Sequence, residues 1–165
     1  MRNRLKEILL KLSVETEKLG VDCKRKKVGC NIHSPDRTGK LVCLSRIFTN
    51  GSQSNECSNV VGSCGCFHAE PKLVLATYAA LLCTPNEILI ACTHSPCTQC
   101  ANLIVWSTIA FGLIYRTRTE HDLRGIGILR KAIPVCSLDE LEQETGDYAQ
   151  LAEKLQACRE RCRAS

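Results

Sequence analysis

"EILIACTHSPCTQCANLIVWSTIAFGLIY", residues 87–115, decides the fold. Its first six residues form an apolar run of strand length. Pro96 to Ile109 then reads as a helix, and Phe111 to Tyr115 as a second strand. Working outward, Leu5, Ile8, Leu9 and Leu12 recur at helical spacing, which predicts a helix over 3–19 stopped by Gly20. Val28–His33 and Leu41–Thr49 read as strands joined by "SPDRTGK", which has the Pro, Asp and Gly of a hairpin turn. Residues 68–83 and 121–131 read as helices, 132–135 as a last strand, and 138–163 as a long helix with a charged face. Strands that alternate with helices after an opening hairpin imply an α/β fold, a mixed five-stranded sheet with helices on both faces. The 165 residues suit one domain over the whole chain.

The central helix carries chemistry at its mouth. Cys97 and Cys100 are three apart just after Pro96, and upstream His68 and Glu70 are two apart at the start of another helix. His-x-Glu followed by Pro-Cys-x-x-Cys is the motif pair of zinc nucleobase deaminases. Catalytic zinc takes three protein ligands and keeps a fourth position open, so His68, Cys97 and Cys100 suffice. A helix N-terminus lowers cysteine pKa values, which suits two metal-bound thiolates. Glu70 is placed to act on water at the open position, taking its proton and passing it to the substrate ring. A Cys-x-x-Cys alone fits a redox pair or half of a structural zinc site, and a structural four-ligand site has no use for Glu70.

Net charge is +5, with 44% hydrophobic and 24% charged residues, ordinary for a soluble globular chain. The densest basic run, Lys24 to Lys27, reads either as a solvated strand entry or as a phosphate contact. The N-terminal stretch mixes apolar and charged residues and lacks the uninterrupted apolar core of a signal peptide. With 13 cysteines and no such signal, reduced thiols or metal ligands are expected in a cytoplasmic setting, with no membrane partner.

On these motifs the chain resembles the cytidine deaminase superfamily, and within it the deoxycytidylate (dCMP) deaminases. "KKVGCNI", "FTNG", "HAE", "SPCTQCANLI" and "IYRTRTEHDLRGIGILRKAIPV" carry the likeness, over about residues 20–136. Lys72–Leu73 stands where relatives usually carry Asn-Ala, and "RTRT" where they often have a further aromatic. The resemblance implies conversion of dCMP to dUMP with release of ammonia, a small-molecule nucleotide substrate and a homo-oligomer, dimer or hexamer. It also implies that Asn50 hydrogen-bonds the nucleotide, with Ala69 beside it. Lys72, four residues after His68 on a helix, is either a phosphate contact or a solvent-exposed lysine. Some phage members bind a second, structural zinc, and Cys23, Cys57, Cys64 and Cys66 match its ligand positions. Such an ion would pin the polar loop over 50–65. The other reading of these four is buried thiols, as expected for Cys30, Cys43, Cys83, Cys92 and Cys136 in apolar segments.

Two further readings stay open. One is deamination of another base or of nucleic acid, such as tRNA adenosine or cytidine, or guanine. Four percent aromatics leave few platforms on which to stack single strands, so no nucleic-acid partner is expected. The other is a zinc-stapled binding module without catalysis.

Overall fold

The computed structural model describes residues 1–19, 23–51, 57, 58, 60, 65–80, 87–119 and 124–164, apart from the Arg163 side chain. The elements run α1 (Arg2–Lys18), β1 (Gly29–Pro35), β2 (Leu41–Cys43), β3 (Phe48–Thr49), α2 (Ala69–Ala79), β4 (Ile88–His94), α3 (Thr98–Ser107), β5 (Ala110–Thr117), α4 (Arg124–Arg130), β6 (Val135–Ser137), α5 (Leu138–Gln143) and α6 (Tyr148–Ala164). The sheet order is β2-β1-β4-β5-β6, with β3 also paired to β1. β1 is antiparallel to β2, β3 and β4, while β4, β5 and β6 are parallel, so the sheet is mixed.

Helices cover both faces. α2, α3 and α4 pack on the face formed by Cys30, Ile32, Ile90, Cys92, Leu113 and Tyr115. α1, α5 and α6 pack on the other, against Leu89, Ala91, Phe111 and Ile114. Leu5, Leu9 and Leu12 of α1 are fully buried there, each contributing roughly 1.5–3 kcal/mol relative to exposure. The first turn also forms as its residues dictate: Asp36 Oδ1 accepts from the Thr38 and Lys40 amides, and Gly39 takes φ 79°.

Four expectations need correction. The strand over 41–49 is two strands. β2 pairs with the far end of β1 and β3 with the near end, and between them Ser45 Oγ accepts from Ile32 N at 3.2 Å. A side-chain hydroxyl thus stands in for a ladder carbonyl, and residues 45–47 step out of the sheet. The last strand lies at 135–137, because the Ala132 and Ile133 amides still close onto Leu129 O at the end of α4. The long C-terminal helix breaks at 144–147, where Glu144 and Gly146 are left-handed and Asp147 Oδ2 accepts from Val135 N at 3.0 Å. Cys30, Cys92 and Cys136 are core, but Cys43 is exposed on the edge strand β2. Cys83 lies outside the described residues.

The topology gathers the motifs. Because β1 is antiparallel to β4, the start of β1 and the end of β4 lie at the same end of the sheet. The end of β3 is there too, with Thr49 opposite Gly29, and Gly51 bridges to Phe67. Asn50, His68 and Cys97 are therefore neighbours despite their spacing in sequence.

Candidate active site

His68 is the N-cap residue of α2 and Cys97 that of α3, and neither uses its side chain as a cap. Both side chains are thus left to face one another. Cys97 Sγ lies 3.5 Å and Cys100 Sγ 3.3 Å from His68 Nδ1. A tetrahedral zinc with ordinary Zn–S and Zn–N bonds separates sulfur from nitrogen by about 3.5 Å. The donor set and spacing therefore fit zinc.

The electrostatics agree. The Cys97 thiol is pushed down to about 4, first because the Cys100 S–H donates to it and then through His68, against a cost of burial. Cys100 is pushed up in turn, since the pair shares one proton. The Cys97 hydrogen bond raises the His68 imidazole. Glu70, 3% exposed in the first turn of α2, is pushed up by burial. Its Oε2 has no hydrogen-bond partner among the described residues. A buried carboxyl group with one oxygen unpartnered, beside two thiols and an imidazole, is costly unless that oxygen has a proton or a ligand to act on.

A second cluster lies close by. Cys23, Cys57 and Cys66 have their sulfurs within 4.8 Å of one another, and Cys23 and Cys57 are 3.9 Å apart. Two thiolates on one tetrahedral zinc sit about 3.8 Å apart. Cys64 lies outside the described residues.

Asn50 is buried, with Oδ1 accepting from Val28 N at 2.8 Å and Nδ2 donating to Lys26 O at 2.7 Å. One amide hydrogen and one lone pair remain for a ligand. Ala69 is fully buried beside Glu70. Lys72 is neither a freely solvated lysine nor aimed at the donor cluster. Its Nζ donates to Thr49 O at 2.9 Å and Gly51 O at 3.5 Å, clamping the chain on both sides of Asn50. Lys72 also lines a cavity of about 650 Å³ with Lys18, Arg46 and Phe48, which does not include His68 or Cys97.

Sequence reasoning missed one stitch. Ser95 N donates to Thr117 O at 2.9 Å, Ser95 Oγ accepts from Thr119 N at 2.7 Å, and Thr119 Oγ1 donates to Ser95 O at 3.0 Å. The turn into Cys97 is thereby tied to the end of β5. No local pattern marks this pairing, which exists only once β4 and β5 lie side by side.

A trio of zinc-type donors at two helix N-termini beside a buried glutamate, at one end of the central strands, fits a deaminase-type centre. Residues 3–114 match the cytidine and deoxycytidylate deaminase zinc-binding region, and the chain belongs to that family. No curated protein matches it. Among solved structures it is similar to the dCMP deaminase of cyanophage S-TIM5 in complex with dCMP and dUMP, at 22% identity and TM-score 0.64, covering 79% of this chain and 93% of that one. It is also similar to the Aspergillus oryzae Rib2 deaminase in complex with DARIPP, at 15% identity and TM-score 0.56, covering 94% and 97%. Guanine deaminase from Nitrosomonas europaea gives 15% identity and TM-score 0.52, covering 96% and 84%. These likenesses establish the shared fold. Among the described residues no helix is long and apolar enough to cross a membrane.

Proposed function

We propose that the chain is a single zinc-dependent hydrolytic deaminase domain that converts a cytosine nucleotide, dCMP, to dUMP with release of ammonia. The observation that carries this reading is the His68, Cys97 and Cys100 donor set at tetrahedral spacing, with the Glu70 carboxylate buried beside it. In this reading the three side chains hold the ion. Bound there, zinc supplies Lewis-acid chemistry and brings the pKa of water toward 7. Glu70 accepts a proton from the attacking water, delivers it to the ring nitrogen, and then supports protonation of the departing amine. One water enters and one ammonia leaves, so the carboxylate ends as it began. Asn50 offers its remaining amide hydrogen and lone pair to the nucleotide, Ala69 lets the base close on the site, and Lys72 acts by fixing the Asn50 segment. The cytosine choice rests on the resemblance of the motifs to dCMP deaminases.

The test is an ammonia-release panel of dCMP, CMP, dCTP, deoxycytidine, guanine and a tRNA anticodon stem. Turnover of dCMP above the others is expected, and in Glu70→Gln it should fall by about 10²- to 10⁴-fold with zinc retained. Preference for guanine or the tRNA stem would move the substrate class. Normal turnover in Glu70→Gln would remove the mechanism.

A second, structural zinc on Cys23, Cys57, Cys66 and Cys64 is part of this proposal, supported by the spacing of the three described sulfurs. So is a homo-oligomer. Leu75, Tyr78 and Trp106 are 58%, 52% and 85% exposed, and the Tyr78 hydroxyl donates to Ser107 O at 2.6 Å, so they form one apolar seam along α2 and α3. α3 has no Asp, Glu, Lys or Arg, and α2 has only Lys72 and the buried Glu70. In a chain of net charge +5, a second copy can meet this face without like-charge repulsion. Trp106→Glu should give a monomer by analytical ultracentrifugation, and an unchanged assembly would exclude the seam.

A further inference from the structure

We infer that Gly125, which holds no ligand, is a positioning residue for the metal-binding turn: α4 seats on the Pro96–Cys97 backbone only because residue 125 has no side chain. The inference rests on the zinc reading of His68, Cys97 and Cys100. A β-carbon at Gly125 would lie 2.2 Å from Pro96 O, 2.8 Å from Cys97 C and 2.9 Å from Cys97 O. All three are backbone atoms of the turn that carries the Cys97 sulfur. Two residues on, Gly127 has nothing within 4 Å of the same position. Of two glycines in one helix, a disfavoured residue for that setting, one is there for contact and the other is exposed.

The turn has little room to yield. Cys97 O accepts from Ala101 N at 2.8 Å in the first turn of α3, and Ser95 is stitched to Thr117 and Thr119 on the other side. α4 has little room either, because Ile126 is 6% exposed and Leu129 fully buried in the core. A methyl group at 125 must gain about 1 Å to reach ordinary contact, while zinc sites tolerate ligand displacements of about 0.2 Å. The displacement falls on the peptide that aims the Cys97 sulfur. Residues that orient ligands without binding metal typically cost 10- to 100-fold in metal affinity when changed.

The experiment compares zinc affinity, by chelator competition at neutral pH, in full-length wild type, Gly125→Ala, Gly127→Ala, Leu129→Ala and His68→Ala. His68→Ala identifies which bound ion belongs to the site. Gly125→Ala should bind that ion about 10- to 100-fold more weakly and alter the thiolate-to-metal bands of the cobalt(II)-substituted protein. Gly127→Ala should match wild type. Leu129→Ala should lose thermal stability while keeping affinity within about threefold, which separates positioning from general loosening. If Gly125→Ala folds poorly, the Gly125→Ala/Gly127→Ala double variant recovers helix propensity and should fold with the same weak affinity. Wild-type affinity in Gly125→Ala, an equal loss in Leu129→Ala, or a double variant that cannot fold would each overturn the inference. No affinity change in His68→Ala would instead overturn the zinc reading on which it rests.

Discussion

Replacing Asn50 with alanine should cost stability as well as activity, and the structure sets the size. The amide is 7% exposed and ties two backbone groups, Val28 N–H and Lys26 C=O, that lie just before β1. Alanine leaves both without this partner, and each buried, unsatisfied group costs about 1–3 kcal/mol. Because both hydrogen bonds are only partly buried, the low end applies to each, and a loss of about 2 kcal/mol is expected. For a chain of this size that is a fall of about 4–8 °C in Tm. Aspartate is the sharper probe. It keeps an acceptor for Val28 N–H but turns a second oxygen toward Lys26 O, which sits 2.7 Å from the present amide nitrogen. Asn50→Asp should therefore be no more stable than Asn50→Ala at neutral pH. Unfolding should be followed by far-ultraviolet circular dichroism, because Trp106 is 85% exposed and its fluorescence reports little of the core. An Asn50→Asp protein as stable as wild type would refute the claim that donation to Lys26 O holds this segment.

Lys72→Met should release Thr49 O and Gly51 O and raise KM for dCMP and deoxycytidine alike, whereas an effect confined to dCMP would point to a phosphate contact instead. Mass-spectrometric metal analysis should find two zinc ions per chain in wild type and one in a Cys57→Ser/Cys66→Ser double variant that still folds; one ion in wild type would reject the second site. Burial, with smaller contributions from Arg4 and Lys11, pushes His33 down to about 4 from an ordinary 6.5. The unfolded chain then binds the proton more readily, so stability is full above pH 6.5 and falls by up to about 3 kcal/mol toward pH 4; urea titrations of His33→Gln should show a smaller slope, with the remainder from His94, which burial also pushes down to about 4. Ser137→Ala should cost about 1 kcal/mol in thermal unfolding, since Ser137 Oγ accepts from Glu140 N at 3.1 Å while Glu140 Oε2 accepts from Ser137 N at 2.8 Å.

The parts of the fold that were legible in the sequence are those where one local period decides the outcome. The leucines of α1 and the apolar run of β4 reveal their burial by spacing alone. The split between β2 and β3 does not, because it depends on Ser45 finding the Ile32 amide across the hairpin. The break at 144–147 had a local signal in Gly146, outweighed by the helical pattern on either side. In the site, His68, Glu70, Cys97 and Cys100 could be paired from their spacing and chemistry. The anchoring of Asn50 to Lys26 and Val28 could not, nor the grip of Lys72 on Thr49 and Gly51, since these are contacts between segments. Gly125 carried a signal in being a glycine inside a helix, but only the approach of Pro96 and Cys97 separates it from Gly127.

The middle position of β4 has a consequence for how the chain reaches this state. Ile88 to Cys92 are wholly buried, with β1 on one side and β5 on the other. The β1–β4 pairing can form without β5, but the β4–β5 pairing is parallel and waits on the α3 crossover. Until β5 docks, "ILIACTH" offers an open row of amides and carbonyls on an apolar segment with no charge, proline or glycine, the profile of an aggregation-prone strand. Refolding from denaturant should therefore lose yield as protein concentration rises. A charge placed at Ala91 would guard that transient edge only by sacrificing the finished core, so protection during assembly has to come from rapid closure of α3 and β5 over the strand.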